Sequence, residues 1–493
     1  MKITFVYPDF LSTHPGFRGA YYTGIGSLSA CLKERGHATS LIHVTRSPLD
    51  STSFLQTVQE HKPDLLAFSA TTNTFPQVVR MATWLRSAGV RIPTICGGIH
   101  TTLCPDEAIV VDGLDFVCIG EGEKPLVDLC DRLEAGQDPY TVPGIWAKTS
   151  ETIHRNPART DYLDLDSLPF PDRDIFDYPN LWHERQGKAV VMASRGCPYR
   201  CTYCCNHALR EAYGDGSRYV RFRSLDKVIA EIRSIVDRHP FIHKIHFDDD
   251  ILFLNKRWAQ EFARRYREEI GLPYCCNLRP DLASQEVVDL LASSGCEEVR
   301  IGLESGNDQI RNSLLDRKLD RDQIVSAIRR CRSLGIKVRT FNMVGLPTET
   351  ASDVLDTVRM NASAGASHVQ CTIFYPYEQT RLYDLCEKEG LLTGKSLSDY
   401  FSDTVLALDT MNRNQVIMFY ELFPLLVWLY KGIYALPGPL ARLGDRLVSK
   451  ILSHPATPRL LGLPAAAVAK KLLGLRRRAI YFRSTGVQSP VTS

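Results

Sequence analysis

Three cysteines, Cys197, Cys201 and Cys204, stand in "SRGCPYRCTYCCNHA" at C-x3-C-x2-C spacing, directly after an apolar run. That spacing curls one loop so that three thiolates converge on a single metal centre and leave one position open. Two chemistries fit. A zinc ion would take His207 or Cys205 as a fourth ligand and close into a structural site. A four-iron cluster would keep one iron without a protein ligand, free to hold a substrate or cofactor. No second cysteine or histidine pair follows at finger-like distance, which favours iron and sulfur. Cys205 points away from its neighbour Cys204 and is expected to be packing.

The elements that must position this loop are legible from periodicity. "AVVMAS", "KIHFDDD", "YCCNLRP", "EEVRIGLES", "KVRTFNMVGLP" and "HVQCTIFYP" are six strand candidates separated by helical stretches. Six such units predict a partial parallel barrel with its site at the strand carboxyl ends, where every unusual cluster of this half falls. The first 140 residues alternate "KITFVYP", "TSLIHV", "PDLLAFSA", "PTICGG" and "FVCIGEG" with helical patterns. This predicts a doubly wound parallel sheet, whose ligands bind at the strand carboxyl ends. Between the halves, Thr141 to Gly187 is rich in prolines and acids without a sustained period and reads as a linker. The domains expected are therefore 1–140, a linker over 141–187, a barrel over 188–385 and a helical C-terminal region over 386–493.

Composition bounds the rest. With 493 residues and 44% hydrophobic content the chain can build two or three cores. A net charge of +3 is too small to suggest bulk nucleic-acid binding. "MKITFVYPDF" lacks the pattern of a signal peptide, so the chain is expected in the cytoplasm, where its fifteen cysteines stay reduced. "LFPLLVWLY" is nine apolar residues, far short of the roughly twenty of a membrane span. From Ala441 onward the tail is basic and interleaved with apolar stretches. It reads either as a contact for an anionic membrane surface or as a solvated face packed back on the barrel.

The cysteine loop, with the aromatic Tyr203 before its last cysteine, resembles that of the radical S-adenosylmethionine (SAM) enzymes. Four further stretches follow in that family's order at predicted strand ends: "HFDDDIL", "NLRPDL", "GLESG" and "NMVGLPTET". The resemblance implies a 4Fe-4S cluster on Cys197, Cys201 and Cys204, whose open iron chelates SAM. It places Asp248 and Asp249 near the SAM amino group, Arg279 at its carboxylate and Glu304 at the ribose. Asn342, Val344, Gly345 and Leu346 fall in the last motif, with the backbone of Val344 to Leu346 against the adenine. Asp250 is expected to be a solvated loop-end charge.

The first 140 residues resemble the cobalamin-binding module that precedes the barrel in one radical SAM subclass. "FSATTNTF", "CGGIH" and "IGEGE" carry the likeness and assign Ser69, Thr71, Thr72, Asn73, Gly97, Gly98, Gly120, Glu121 and Gly122 to the corrinoid. The D-x-H-x-x-G motif of histidine-ligating modules is absent, since Asp9 and His14 are wrongly spaced. His14 and His100 are expected to be loop or structural residues. A plain nucleotide domain is the other reading, weakened by the lack of G-x-G-x-x-G.

The resemblance implies reductive cleavage of SAM to a 5′-deoxyadenosyl radical, with C-methylation of an unactivated carbon as the leading outcome. Ring closure or rearrangement with the same cofactors is the alternative. A non-catalytic corrinoid or redox sensor is a third reading, against which Asp249, Arg279 and Glu304 stand as a set that a sensor does not need. An electron donor such as flavodoxin or ferredoxin and a small or lipid-like substrate are the implied partners, with Tyr375 and Tyr377 as specificity candidates.

Overall fold

The computed structural model describes residues 1–9, 17–45, 50–159, 162–214, 218–395, 397 and 401–458. Its first sheet holds β1 (Lys2–Pro8), β2 (Ala38–Val44), β3 (Leu65–Ser69), β4 (Thr94–Gly97) and β5 (Phe116–Cys118), all parallel, in the order β2-β1-β3-β4-β5. Helices cover both faces, which is why β3 reads "LLAFS" with every residue buried instead of alternating. The strand order reverses between β1 and β3, and the crevice at that point is the expected ligand site of such a sheet.

Two strands, β6 (Ile145–Lys148) and β7 (Ile153–Arg155), extend the sheet antiparallel from β5. They lie inside the segment expected to be a linker, and at three and four residues they are too short to show a period. The rest of that segment packs against both halves. Phe176, Tyr178 and Leu181 share a core with Val190, while Arg173 donates to Glu231 at 2.8 Å on the barrel side.

The second sheet contains β8 (Lys188–Val191), β11 (Lys244–Phe247), β12 (Tyr274–Asn277), β13 (Cys296–Glu304), β14 (Lys337–Val344) and β15 (His368–Ile373). These six parallel strands sit in sequence order with β8 and β15 at the two edges, an open barrel in which all six expected strands are present. A short antiparallel ribbon, β9 (Ser194–Arg195) with β10 (Arg221–Phe222), was not apparent from the pattern and flanks the cysteine loop.

The apolar run "LFPLLVWLY" belongs to a longer helix, Arg413–Tyr434, whose 22 residues are long and apolar enough to cross a membrane by length and composition. The nine-residue count therefore understated it, because the apolar character continues on both sides. Half of the helix's most apolar window is buried: Phe419, Phe423 and Tyr430 pack with Val354 and Val358 of the helix Ala351–Ala364. The following helix, Gly438–Ser453, is pinned by Arg359 to Asp445 at 2.8 Å and leaves Leu440, Leu443, Leu447 and Ile451 more than half exposed. The rest of the basic tail, 459–493, lies outside the described residues.

One buried carboxylate in the connecting segment makes a prediction. Glu184 is 0% exposed, no side chain donates to either of its oxygens, and burial raises its pKa from 4.5 to about 7 against weak backbone contacts at its own N–H and that of His183. A raised folded pKa means that its contribution is intact below pH 4.5 and lost as pH rises through about 7. The whole step is worth about 3 kcal/mol. Urea midpoints of the wild type minus those of Glu184→Gln should therefore fall between pH 4.5 and about 7 and level off above that. Parallel profiles would show that the carboxyl does not titrate there.

Candidate active site

Gly196 opens the cysteine loop with φ +88°, and a Cβ there would meet the Tyr219 carbonyl at 2.5 Å, so only glycine makes this turn. Cys197 and Cys204 are partly exposed and Cys201 is buried. Burial pushes the Cys197 thiol up to about 12, and the thiols of Cys204 and Cys201 add to the rise. The Cys205 thiol, hydrogen-bonded to Cys204, draws that group down to about 7. Cys205 therefore faces Cys204, where it was expected to point away, and is only half-buried.

Zinc donors sit within about 4 Å of one another, given metal bonds of roughly 2.0 to 2.3 Å. Among the described residues, no set of three donors within 4.8 Å of each other includes these cysteines, Cys205 or His207. Three thiols that are electrostatic neighbours, yet too widely spaced for a single ion, fit a cluster. His207 is only 4% exposed and stands against the backbone of Cys204 and Cys201.

The three aspartates after β11 diverge. Asp248 opens into a cleft, and Asp250 is exposed, as expected of a solvated charge, while accepting from Asn206 Nδ2 at 3.2 Å beside Cys204. Asp249 was expected beside the SAM amino group, but it is 0% exposed. Its carboxylate accepts from the Ala193 N–H at 3.0 Å and the Ser194 hydroxyl at 2.5 Å, and burial holds its pKa up to about 7. It positions the entry to the cysteine loop instead of facing a ligand.

Arg279 lies against the loop, its guanidinium 3.6 Å from the Tyr199 ring centroid and its Nη1 4.0 Å from Cys201 Sγ. Glu304 ends β13 with φ +63°, where the pairing with β14 also shifts register, and together these re-aim its side chain. Its Oε1 accepts from Tyr203 Oη and from Arg317 Nη1, both at 3.2 Å. Arg317 was missed by sequence reasoning. It carries no motif and arrives from a loop thirteen residues on, where it also donates to the Gly302 carbonyl at 2.6 Å.

In the last motif, Asn342 is internally satisfied, donating to the Gln370 carbonyl and accepting from Asn361, so it braces the barrel wall and does not face a ligand. Val344 and Leu346 send their side chains into two apolar cores, leaving the loop backbone as the surface available to an adenine. Glu349 accepts from the N–H groups of Gly345 at 2.7 Å and Leu346 at 3.2 Å and fixes that backbone.

The cleft of about 390 Å³ runs from the switch point of the first sheet to the barrel mouth. Ser69, Gly97, Gly98, Gly120 and Gly122 line one side, and Met192, Arg195 and Asp248 line the other. Gly98, at φ +113°, could carry no Cβ without meeting the Ala70 carbonyl at 2.4 Å. Tyr22 lines the cleft with its ring stacked on Tyr7 at 5.0 Å.

No histidine is among the lining residues, and Asp9 is held by His43 at 3.0 Å; His14 lies outside the described residues. A largely apolar space with close backbone approach suits a corrinoid. Thr71, Thr72 and Asn73 are not in the lining. Thr71 N–H bonds Thr74 in a turn that opens the helix Phe75–Ser87, Thr72 lies 3.4 Å from the His100 ring, and Asn73 accepts from Tyr377 Oη at 2.9 Å.

Comparison with known proteins agrees with this geometry. The family model of the radical SAM superfamily matches residues 191–360, and that of the B12 binding domain matches residues 21–130. The chain is a cobalamin-binding radical SAM enzyme. An uncharacterized methyltransferase of Pyrococcus horikoshii is 25% identical over 80% of this chain and 84% of its own length. The anaerobic magnesium-protoporphyrin IX monomethyl ester cyclase of Rubrivivax gelatinosus is 22% identical over 85% and 75%. In fold, the chain resembles the radical SAM methyltransferase TsrM from Kitasatospora setae, solved with cobalamin and a 4Fe-4S cluster. The TM-score is 0.64 at 20% identity, covering 80% of this chain and 79% of that one. The cofactors of this radical SAM enzyme are accordingly a 4Fe-4S cluster, SAM and cobalamin.

One assigned residue of the B12 binding domain has another task. Glu121 does not line the cleft. Its carboxylate accepts from Arg195 at 2.9 Å and Arg221 at 2.6 Å, while Glu123 accepts from Arg195 at 2.6 Å. Both arginines belong to the β9–β10 ribbon, so this network fastens the two cofactor-binding domains together.

Proposed function

We propose that this enzyme is a C-methyltransferase acting on an unactivated carbon of a small or lipid-like substrate. The observation that carries the reading is the single cleft in which corrinoid-side residues such as Gly97 and Gly122 share walls with Met192, Arg195 and Asp248 of the barrel. When bound, the cofactors supply reductive cleavage of SAM and a transferable methyl group. The chain supplies the rest. Arg279 offers a fixed cation for the SAM carboxylate and Asp248 an acceptor for its amino group. Glu304, steadied by Arg317 and Tyr203, offers its second oxygen to the ribose. Leu28, Ile99 and Met192 keep the joined space apolar and exclude water. A one-electron donor such as flavodoxin or ferredoxin completes the cycle.

The test is anaerobic incubation of reconstituted full-length protein with cobalamin, SAM and a strong reductant, quantifying 5′-deoxyadenosine and S-adenosylhomocysteine together. Corrinoid-dependent formation of both is expected. Deoxyadenosine alone would move the reading to ring closure or rearrangement.

The lipid-like substrate rests on the helix Gly438–Ser453, where exposed Leu440, Leu443, Leu447 and Ile451 alternate with exposed Arg442, Arg446 and Lys450. An apolar stripe rimmed by cations suits an anionic bilayer surface. Co-sedimentation with vesicles containing anionic lipid should fall several-fold in Leu443→Asp/Leu447→Asp. Equal sedimentation of both proteins would remove the membrane from the reading.

A further inference from the structure

A second set of metal donors stands away from the cysteine loop. His100 lies in the short helix Ile99–Leu103, Cys104 caps its C-terminus, and Glu107 follows in Pro105–Ile109. The ligand atoms of these three residues lie within 4.8 Å of one another. His100 is 2% exposed, its Nε2 has no hydrogen-bond partner, and that atom lies 3.4 Å from a Glu107 oxygen. From the far side, Glu378, beyond β15 of the barrel, brings its Oε2 to 3.2 Å from Cys104 Sγ. Neither Glu107 nor Glu378 pairs with a lysine or arginine among the described residues. Burial and the facing Glu378 raise the pKa of Glu107, and burial followed by Glu378 raises the Cys104 thiol, the signs of a crowded acidic pocket that lacks a cation.

We propose that His100 Nε2, Cys104 Sγ, Glu107 and Glu378 bind a structural zinc ion that clips the cobalamin module to the segment following the barrel. Mixed imidazole, thiolate and carboxylate donors closing on one point suit Zn²⁺ better than a hard cation such as Mg²⁺. On binding, the Cys104 thiol gives its proton to solvent and becomes the thiolate ligand, with no change of oxidation state. The site also bears on the cleft, since Gly97 and Gly98, which line it, directly precede the helix carrying His100. It was not foreseen because its fourth donor lies 274 residues from Cys104.

The experiment uses the full-length, cluster-reconstituted protein passed over a chelating resin. Zinc and iron are counted by mass spectrometry, and the zinc absorption edge, which sees neither iron nor cobalt, reports the ligand set. About one zinc per chain, with a single sulfur among nitrogen and oxygen scatterers, is expected. Cys104→Ser should lose that zinc while its iron content stays at the wild-type value, which also shows that the variant folds. Glu378→Gln should weaken zinc about 10-fold or more in competition with a chromophoric chelator. Three results would each overturn the proposal: no zinc in wild type of normal iron content, zinc retained in Cys104→Ser, or a zinc edge showing two or more sulfurs, which would place the ion on the cluster cysteines.

Discussion

Cys201→Ala is expected to abolish 5′-deoxyadenosine formation, a loss at the detection limit and not a partial one. Cys201 is the most buried of the three cluster cysteines and lies 4.0 Å from Arg279 Nη1. On the proposed reading, removing it would take away both a cluster ligand and the contact that holds the cluster in register with Arg279, the cation proposed for SAM. Iron content should fall with activity, whereas cobalamin retention should stay near wild type, because the corrinoid cleft takes no lining residue from the cysteine loop. Deoxyadenosine produced by the variant at more than a trace would show that the cluster is not where these cysteines put it.

The second large effect concerns the fastening between the domains. Arg195→Ala leaves Glu123, whose side chain is 6% exposed, without its cation. Breaking a buried pair by removing one partner typically costs about 3 to 5 kcal/mol. A quarter of the Arg195 side chain is solvent-accessible, so about 3 kcal/mol is the expected end of that range. The readouts are a lower urea midpoint and faster loss of cobalamin on gel filtration, with iron content preserved. That pattern is the reverse of Cys201→Ala. An unchanged midpoint would mean that the domains are held by their apolar contacts alone.

How much of this was legible in the sequence follows from the range over which each feature is specified. The cysteine loop and the six barrel strands are written in neighbouring residues, as spacing and as apolar runs, and both are present. The expected strand runs overshot their ends, because they took in motif residues such as Asp249 that lie beyond the last strand residue, Phe247. Asp249 and Asn342 were placed at the ligand by their motif position, but a motif does not say which face of the chain a side chain takes. Their carboxylate and amide turn inward because backbone groups there would otherwise be left unpaired. Arg317, the network of Glu121 with Arg195 across 74 residues, and the meeting of Cys104 with Glu378 depend on sheet closure and domain docking. No local window records such encounters. The strands β6 and β7 escaped for the opposite reason, being too short to carry a period.

Only Gly196 separates Arg195 from Cys197, and its turn allows no other residue. The strand that suspends the iron centre is therefore the strand bolted to the cobalamin module, and the two domains are less modular than their separate family matches suggest. A chimera that grafted this barrel onto a foreign corrinoid module would present Arg195 and Arg221 to a surface without acids and lose the alignment of its two reaction centres. Transplanting Glu121 and Glu123 with the barrel is the smallest change that would carry the joint across.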